Sequence, residues 1–332
     1  MIVVSSSFLC ICFFACFASF FALTADADTV IRIDGSSTVY PISEAVAEEF
    51  HKRNSEVNVE VVVSGTGGGF AKFCRGETQI SNASRPISRK EMTACREAGI
   101  QYIELPVGYD ALTVVVNKKN DFIKSLTPAQ LKKLWEPASQ GKITSWNQID
   151  ASFPDLPLRL YGPGNDSGTF DYFTEAIVGK AKQSRSDYIA SEDDYLIVRG
   201  VTRNAGAIGY FGYAYYLANQ RKLKAVPIDN GKGPINPSPE SVENGTYAPL
   251  SRPIFIYLAA KSLDRTEVRE FVDFYMKNGA RVVQQQNYVP LSATLYNLNL
   301  KHLEQRRLGT VYGGTEASGM RIEEMLIRQP QN

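Results

Sequence analysis

The sequence predicts an α/β protein, and two observations carry this prediction. Runs of β-branched and aromatic residues, which are typical of strands, alternate along the chain with segments whose apolar residues recur at helical spacing. The connections between these segments are rich in Gly, Ser and Thr, without an internal repeat or a low-complexity linker. A length of 332 residues suggests two domains, at roughly 100–200 residues per domain.

Strands and helices are predicted in turn along the chain. Strands are predicted over residues 30–33, 57–63, 102–107, 112–116, 158–161 and 254–258. Helices are predicted from Ile42, Val46 and Phe50, from Phe70 and Phe73, and over residues 88–98, 127–134, 170–177 and 264–277. Ser88 and Glu91 form a capping box, and Gly99 and Gly279 each lie just past a predicted helix end.

The connection between the two expected lobes is predicted to consist of strands that cross from one lobe to the other. The loosest stretch, residues 230–249, lies late in the chain rather than between two halves. The chain is expected to return to its first lobe near Ser251, Arg252 and Pro253. Such an arrangement is a hinge.

The first 27 residues differ in kind from the rest. Residues 8–23 form an apolar run that is short for a membrane span, and Ala25-Asp26-Ala27 follows as a small-x-small cleavage pattern. We interpret residues 1–27 as an export signal, although no Lys or Arg precedes the apolar run. The alternatives are a retained membrane anchor and a lipid anchor on Cys16, whose preceding residues form a poor lipobox.

Composition disfavours several classes of function. The chain has 36 Lys and Arg against 35 Asp and Glu, which argues against a nucleic-acid-binding protein with a basic face. Two histidines, His51 and His302, leave little room for a metal cluster or a histidine relay. Because a serine nucleophile would lack an activating base, we expect no enzyme activity and no cofactor.

Five cysteines divide into two groups. Cys10, Cys12 and Cys16 lie in the leader, which leaves Cys74 and Cys95 as the pair in the mature part. In an oxidising compartment these two are expected to form a disulfide. The alternative is two separately buried thiols.

Three loops of small polar residues carry the candidate chemistry, and each lies where a predicted strand meets a predicted helix. They are residues 35–38, 64–69 and 162–169. Helix N-termini present unpaired N–H groups, and Ser and Thr hydroxyls add further donors, so three converging loops would hold an anion without a lysine. The alternative interpretation is that each loop is only an ordinary capped helix start, because the same small polar residues are favoured there. None of them matches a nucleotide-binding motif.

Two charged residues are further candidates. Arg85 follows Ser84, and its guanidinium offers the fork of donors that matches an oxyanion; the alternative is an exposed arginine in a turn before Pro86. Asp110 precedes the apolar run 112–116, where its carboxylate either accepts a hydrogen bond from a protonated ligand or pairs with Arg85.

The motifs together resemble a known family, the phosphate-binding solute-binding proteins of ABC-type phosphate importers. The resemblance is carried by DGSSTVYPISEA, VSGTGGGFAKFCRGETQISNASRPI, YDALTVVVN, GPGNDSGTFDYFTE, NAGAIGYFGYAYY and NGTYAPLSRPIFIYL. It implies a two-lobed type II periplasmic-binding-protein fold with a hinged cleft and crossover strands. Lobe 1 is then assigned to residues 28–112 plus 252–332, and lobe 2 to residues 113–251.

The resemblance also implies a function and a set of ligands. The protein is expected to bind inorganic phosphate in the periplasm or elsewhere outside the cytoplasmic membrane, and to deliver it as a monomer to a permease with its ATPase. Alternatives are another tetrahedral oxyanion, or a phosphate sensor or scavenger without a transporter. The implied ligands are Ser37, Thr38, the N–H of Val39, Thr66, Gly67, Ser167, Gly168 and Thr169. The resemblance is strongest to family members with paired cysteines in the second and third helices, which supports a Cys74–Cys95 bridge.

This sequence departs from the family pattern at two charged positions. The aspartate that accepts the ligand proton and the arginine before the Ser-Gly-Thr turn align with Ser84 and Pro163. We therefore expect Arg85, beside the Ser84 hydroxyl, to supply the guanidinium and Asp110 to supply the acceptor that separates phosphate from sulfate.

Overall fold

The computed structural model describes residues 1–2, 30–165, 167–191 and 193–314, together with residues 322, 327 and 330. The interpretation of residues 1–27 as an export signal, including the alternative anchor at Cys16, rests on residues outside this description. Among the described residues, no helix combines the length and the apolar character needed to cross a bilayer.

The structure confirms the α/β class. The strands are β1 (Val30–Gly35), β2 (Asn58–Val63), β3 (Ile80–Ala83), β4 (Tyr102–Asn117), β5 (Arg159–Gly162), β6 (Ile189–Ala190), β7 (Ala207–Gly212), β8 (Leu223–Ala225), β9 (Ile228–Asp229), β10 (Pro234–Ile235), β11 (Ser251–Ala259) and β12 (Val289–Pro290).

Ten α-helices lie between and around these strands in the described part of the chain. They are α1 (Tyr40–His51), α2 (Gly65–Phe73), α3 (Arg89–Glu97), α4 (Pro128–Trp135), α5 (Gly168–Phe173), α6 (Asp194–Arg203), α7 (Tyr213–Asn219), α8 (Pro239–Glu243), α9 (Thr266–Gln285) and α10 (Ala293–Glu304). A π-helical turn, Thr174–Val178, extends α5 directly.

The strands form a mixed sheet in the order β2-β1-β3-β11-β4-β7-β5-β6, with β8 and β12 also paired to β4. Strands β1, β2 and β3 are parallel, as are β5, β6 and β7, whereas β11 runs antiparallel to both β3 and β4. Each parallel group brings its carboxyl ends, and the helix starts that follow them, to one edge.

Strand β4 links the two parallel groups. The sequence predicted two strands, over residues 102–107 and 112–116, but the structure has one continuous strand whose 16 residues are all buried. Its first part pairs with β11 and its last part with β7 and β8. Pro106 and Gly108 obscured this continuity in the sequence, because both residue types usually interrupt strands.

Helix α9 corrects a second expectation. Gly279 was predicted to lie past the helix end, yet α9 continues to Gln285. A Cβ at Gly279 would lie 2.5 Å from Cε1 of Tyr296 on α10. The glycine therefore permits close packing of two helices rather than ending one.

The predicted disulfide is confirmed between Cys74 and Cys95. Cys74 directly follows α2 and Cys95 lies in α3, so the bridge ties these two helices together. The Ser88–Glu91 capping box at the start of α3 is also confirmed.

Replacing Gly279 with Ala is expected to destabilise the protein by about 1–3 kcal/mol through overpacking. The hydroxyl of Tyr296 donates to the Val107 carbonyl oxygen at 2.6 Å, which holds the ring in place. Chemical denaturation measures the effect, with Ala280→Gly as the exposed control that costs about 1 kcal/mol from helix propensity alone. A Gly279→Ala protein as stable as its parent would contradict this packing.

A buried carboxyl fastens the C-terminal segment to the sheet. Glu104 of β4 accepts hydrogen bonds from the Tyr257 hydroxyl, the Thr310 hydroxyl and the Val311 N–H. Burial raises the pKa of Glu104 from its ordinary 4.5 to about 7, against the lowering effect of these three donors.

This pKa predicts a pH-dependent stability. Because the native carboxyl binds its proton at higher pH than the unfolded one, its contribution is fully present below pH 4.5 and is lost as pH rises to about 7. Glu104→Gln removes the titration but disturbs the hydrogen bonds, so the variant should be less stable than the parent at pH 4.5. The gap in unfolding free energy between parent and variant should narrow by up to roughly 3 kcal/mol toward pH 8, because only the parent loses stability as pH rises. Denaturant titrations at several pH values measure this gap, and a constant or widening one would contradict the assignment.

Candidate functional site

Polar residues from both parallel groups surround one cavity of about 230 Å³. The loop after β1, the start of α2, the end of β3, the α5 region and the start of β11 all contribute to its wall. Its lining residues are Ser36, Ser37, Thr38, Gly65, Thr66, Gly67, Ser84, Arg85, Asp171, Glu175, Ala181 and Arg252. Six of the predicted site residues are therefore in one place: Ser37, Thr38, Thr66, Gly67, Ser84 and Arg85.

The first loop is held in shape by Ser36. The Ser36 N–H donates to the Asn82 carbonyl oxygen at 2.9 Å, and its carbonyl oxygen accepts from the N–H groups of Val39 and Tyr40. The Ser36 hydroxyl also accepts from the Thr38 N–H at 3.2 Å. These bonds use the Val39 amide inside the loop, and the fully buried Val39 is not among the residues that line the cavity.

The second segment differs from the sequence prediction, because the glycine run forms the first turns of α2 rather than a loop before it. A Cβ at Gly69 would lie 2.5 Å from the Gly35 Cα, so α2 packs against the end of β1 only with glycine at this position. This close approach places Thr66 and Gly67 on the cavity wall.

Ser84 and Thr66 are in contact on the cavity wall. The two hydroxyl oxygens lie 3.0 Å apart, and the Ser84 N–H donates to the Thr66 hydroxyl oxygen at 3.2 Å. Because the Thr66 oxygen only accepts in the bond from the Ser84 N–H, neither hydroxyl hydrogen is used there. One hydroxyl can donate to the other, so at least one hydroxyl hydrogen remains for an anion.

The third loop reaches the site from the other parallel group. Ser167 caps α5 by accepting from the Thr169 N–H at 3.2 Å. A Cβ on Gly168 would lie 3.4 Å from the Thr38 Cα, which shows that this loop packs directly on the first loop. Ser167, Gly168 and Thr169 are not among the residues that line the cavity; Asp171 and Glu175, farther along the same helical segment, are.

Arg85 lies on the cavity wall in a fixed position. Its Nη1 and Nη2 donate to the two carboxylate oxygens of Glu91 at 2.9 and 2.8 Å. The pKa of Glu91 is lowered by Arg85 and Ser88, although burial opposes them and is the largest single influence. Because Glu91 is also the capping-box residue of the disulfide-linked helix α3, the orientation of Arg85 depends on that helix.

Arg252 is a cavity residue that sequence reasoning missed. Its Nη2 donates to the Thr38 hydroxyl oxygen at 3.3 Å, and its guanidinium carbon lies 3.6 Å from the centre of the Tyr172 ring. Its Nη1 lies 3.3 Å from a carboxylate oxygen of Glu175. With only 15% of its side chain exposed, Arg252 is the less accessible of the two cavity arginines. The one available sign was a charged residue at the start of the apolar run 254–258.

Asp110 lies behind Arg252. The two residues are paired in the antiparallel register of β4 and β11, and Asp110 Oδ2 lies 3.5 Å from Arg252 Nε. Burial raises the pKa of Asp110 to about 6, although Arg252 lowers it. Asp110 contacts Arg252 rather than Arg85, and it is not among the residues that line the cavity.

Asp171 and Glu175 are the carboxylates on the cavity wall. Oδ1 of Asp171 is buried without a hydrogen-bond partner, while its Oδ2 lies 3.8 Å from Lys182 Nζ. Burial raises the pKa of Asp171, an effect that Lys182 and Arg252 partly oppose. Glu175 is 54% exposed and pairs with Arg252.

Among the described residues, the charges around the cavity nearly balance. Three cations, Arg85, Arg252 and Lys182, face four carboxylates, those of Glu91, Asp110, Asp171 and Glu175. An anion in this cavity would therefore rely on hydrogen-bond donors, and it would be favoured if it carried a proton for a carboxylate. Across the described residues, no group of three His, Cys, Asp or Glu is arranged to hold a metal ion.

Comparison with known proteins agrees with this architecture. Residues 22–278 match the family model described as a PBP superfamily domain. The chain is 50% identical to Protein SphX of Synechocystis sp. over 300 residues, which is 90% of this chain and 89% of that protein. It is 37% identical to the phosphate-binding protein PstS of Staphylococcus epidermidis over 273 residues, which is 82% of each chain.

A solved structure supports the same relationship. The crystal structure described as a possible phosphate binding protein from Planctomyces limnophilus superposes with a TM-score of 0.80 at 46% sequence identity. The match covers 83% of this chain and 98% of that one. The type II periplasmic-binding-protein architecture expected from the motifs is thereby confirmed. The chain belongs to the PBP superfamily and, within it, to the family of the SphX and PstS proteins.

Proposed function

We propose that this chain binds inorganic phosphate outside the cytoplasmic membrane and delivers it to an ABC-type importer. The observation that carries the proposal is the 230 Å³ cavity, in which hydroxyls from three segments meet two arginines. The relatives described as phosphate-binding proteins support the choice of ligand. Delivery to a permease and its ATPase is supported by the resemblance of the sequence motifs to importer receptors.

Phosphate is held mainly by donors that are already oriented. Ser37, Thr38, Thr66 and Ser84 supply hydroxyls, Gly67 supplies its N–H, and Arg252 supplies a guanidinium whose position is set by Asp110. Micromolar affinity corresponds to about −8 kcal/mol. Charge-assisted hydrogen bonds contribute roughly 1.5–3 kcal/mol each and association costs at least about 4 kcal/mol, so such a set of donors suffices without a lysine ligand.

Binding is completed by closure of two lobes. We assign residues 28–112 and 252–332 to one lobe and residues 113–251 to the other, with β4 crossing between them. The contact of Gly168 with Thr38 supports closure along the first loop. Ser167, Gly168 and Thr169 complete the cage on closure, and the Val39 amide joins them by exchanging its bond to the Ser36 carbonyl oxygen for one to the anion.

The acceptor for the ligand proton is assigned to Asp171 rather than to Asp110. Both residues have a buried carboxylate oxygen without a hydrogen-bond partner, but Asp171 lines the cavity, whereas Asp110 does not line it and lies against Arg252. Sulfate has no proton to donate at neutral pH, so it would leave the Asp171 carboxylate facing an anion.

Calorimetry of the protein against phosphate and sulfate tests the proposed function. Phosphate should bind and sulfate should bind far more weakly; absence of phosphate binding would refute the proposal. The protein is expected to act by binding alone, so incubation with a chromogenic phosphate ester should show no turnover. Turnover would show that binding is not its only activity.

Arg252→Ala is expected to weaken phosphate binding by about 10- to 150-fold, which corresponds to roughly 1.5–3 kcal/mol for a charged hydrogen bond. Arg85→Ala should weaken binding less, because both Nη groups of Arg85 are bound to one carboxylate, that of Glu91, whereas Nη2 of Arg252 donates to the uncharged Thr38 hydroxyl. Titration calorimetry gives both affinities, with the exposed Arg96→Ala as control. A larger loss in Arg85→Ala than in Arg252→Ala would reverse the assigned order.

Asp171→Asn is expected to lower the phosphate-to-sulfate affinity ratio at least tenfold, because the amide can donate to an oxyanion that carries no proton. Asp110→Asn should weaken both anions together by loosening Arg252, and so leave the ratio within about threefold. Parallel calorimetric titrations measure the two ratios. If the ratio collapses in Asp110→Asn and persists in Asp171→Asn, the acceptor is Asp110.

A further inference from the structure

A second cavity, of about 270 Å³, adjoins the proposed phosphate cavity. The two cavities share four residues: Ser84, Arg85, Glu175 and Arg252. The remaining lining residues of the second cavity are Pro86, Tyr172, Ala176, Pro249, Ser251 and Pro253. A group that left the first cavity past the shared residues would therefore enter the second.

The wall that belongs to the second cavity alone is largely apolar and stiff. Three of its six residues are prolines, whose rings have no side-chain freedom to lose on contact with a ligand. The Tyr172 hydroxyl donates to the Pro249 carbonyl oxygen at 2.8 Å, and the Arg252 guanidinium lies against one face of the ring, so this buried ring adds only a small apolar area to the wall. A preformed apolar cavity beside a few convergent polar groups is the usual form of a small-molecule site.

The partition between the cavities includes one side chain that can move. Glu175 is 54% exposed and approaches Arg252 Nη1 at 3.3 Å. Arg252, in contrast, is held by Asp110 and by the Tyr172 ring as well. Because exposed ion pairs contribute little stability, rotation of Glu175 into solvent costs little and opens the partition on one side.

We infer that this second cavity accepts the substituent of an organic phosphate whose phosphoryl group occupies the first cavity. The ligand class is a phosphate monoester with a compact apolar substituent, such as phenyl phosphate. This inference rests on the proposed function, because it takes phosphate as the group bound in the first cavity. Inorganic phosphate remains the tighter ligand, since an ester oxygen gives up hydrogen bonds that a free oxygen accepts.

Calorimetry at pH 6 with inorganic phosphate, phenyl phosphate and glycerol phosphate tests the inference. At this pH a monoester keeps its second proton in about half of its molecules, so the Asp171 carboxylate can still accept a hydrogen bond from the ligand. Phenyl phosphate should bind at least tenfold more tightly than glycerol phosphate, whose polar substituent gains nothing from apolar walls. Binding of inorganic phosphate with no detectable binding of phenyl phosphate would overturn the inference and leave the proposed function intact.

Variants at Ala176 locate the substituent. Ala176→Phe should fill the second cavity and weaken the binding of phenyl phosphate at least tenfold. The affinity for inorganic phosphate should stay within about twofold of the parent value, which would show that the site is folded. Ala176→Val, a smaller change, should give an intermediate loss, and Ala218→Phe on the exposed face of α7 should change neither ligand. Equal phenyl phosphate affinity in Ala176→Phe and in the parent would overturn the inference.

Discussion

The placement of Arg252 is the constraint on which the proposed site depends. A guanidinium with only 15% of its side chain exposed must find partners, because an unpaired buried charge is costly. Arg252 finds them in three residues: Asp110, which lies behind it, and Thr38 and Glu175 on the cavity wall. The Tyr172 ring covers its remaining face. A side chain held in this way meets an anion without further ordering, which lowers the entropic cost of binding.

That placement follows from the sheet. Strand β11 lies antiparallel to β4 in a register that sets Arg252 opposite Asp110. The same β4 continues into its pairing with β7 and β8, so one strand connects the arginine's anchor to the other parallel group. The two parallel groups place their helix starts at the cavity, and the paired strands β4 and β11 position Asp110 and Arg252. The disulfide between the end of α2 and α3 adds a link, because Glu91 of α3 holds Arg85.

The parts of the site that could be predicted from sequence are those fixed by local structure. Thr38, Thr66 and Ser84 follow strands of one parallel group, so recognising the strand-to-helix junctions was enough to bring them together. Arg252 could not be predicted in this way, since its position depends on antiparallel pairing with a strand far away in sequence. The same distinction explains Gly279, where a local rule for helix ends was overridden by packing on Tyr296.

Charge balance gives the site its expected selectivity. Arginines that are already paired with carboxylates attract an anion weakly at long range, but they offer donors in fixed directions at short range. A ligand that brings its own proton satisfies Asp171 as well as the donors, whereas one without a proton satisfies only the donors. The carboxylates around the cavity therefore favour a ligand that carries a proton, in addition to holding the arginines in place.

The role of Arg252 is tested most directly by a crystal structure of the protein grown with arsenate, a heavier tetrahedral oxyanion whose position is visible by anomalous scattering. We expect one arsenate with its oxygens within hydrogen-bonding distance of Arg252, Thr38 and Thr66. An arsenate bound away from Arg252, or Arg252 turned out of the cavity while the anion is present, would contradict it.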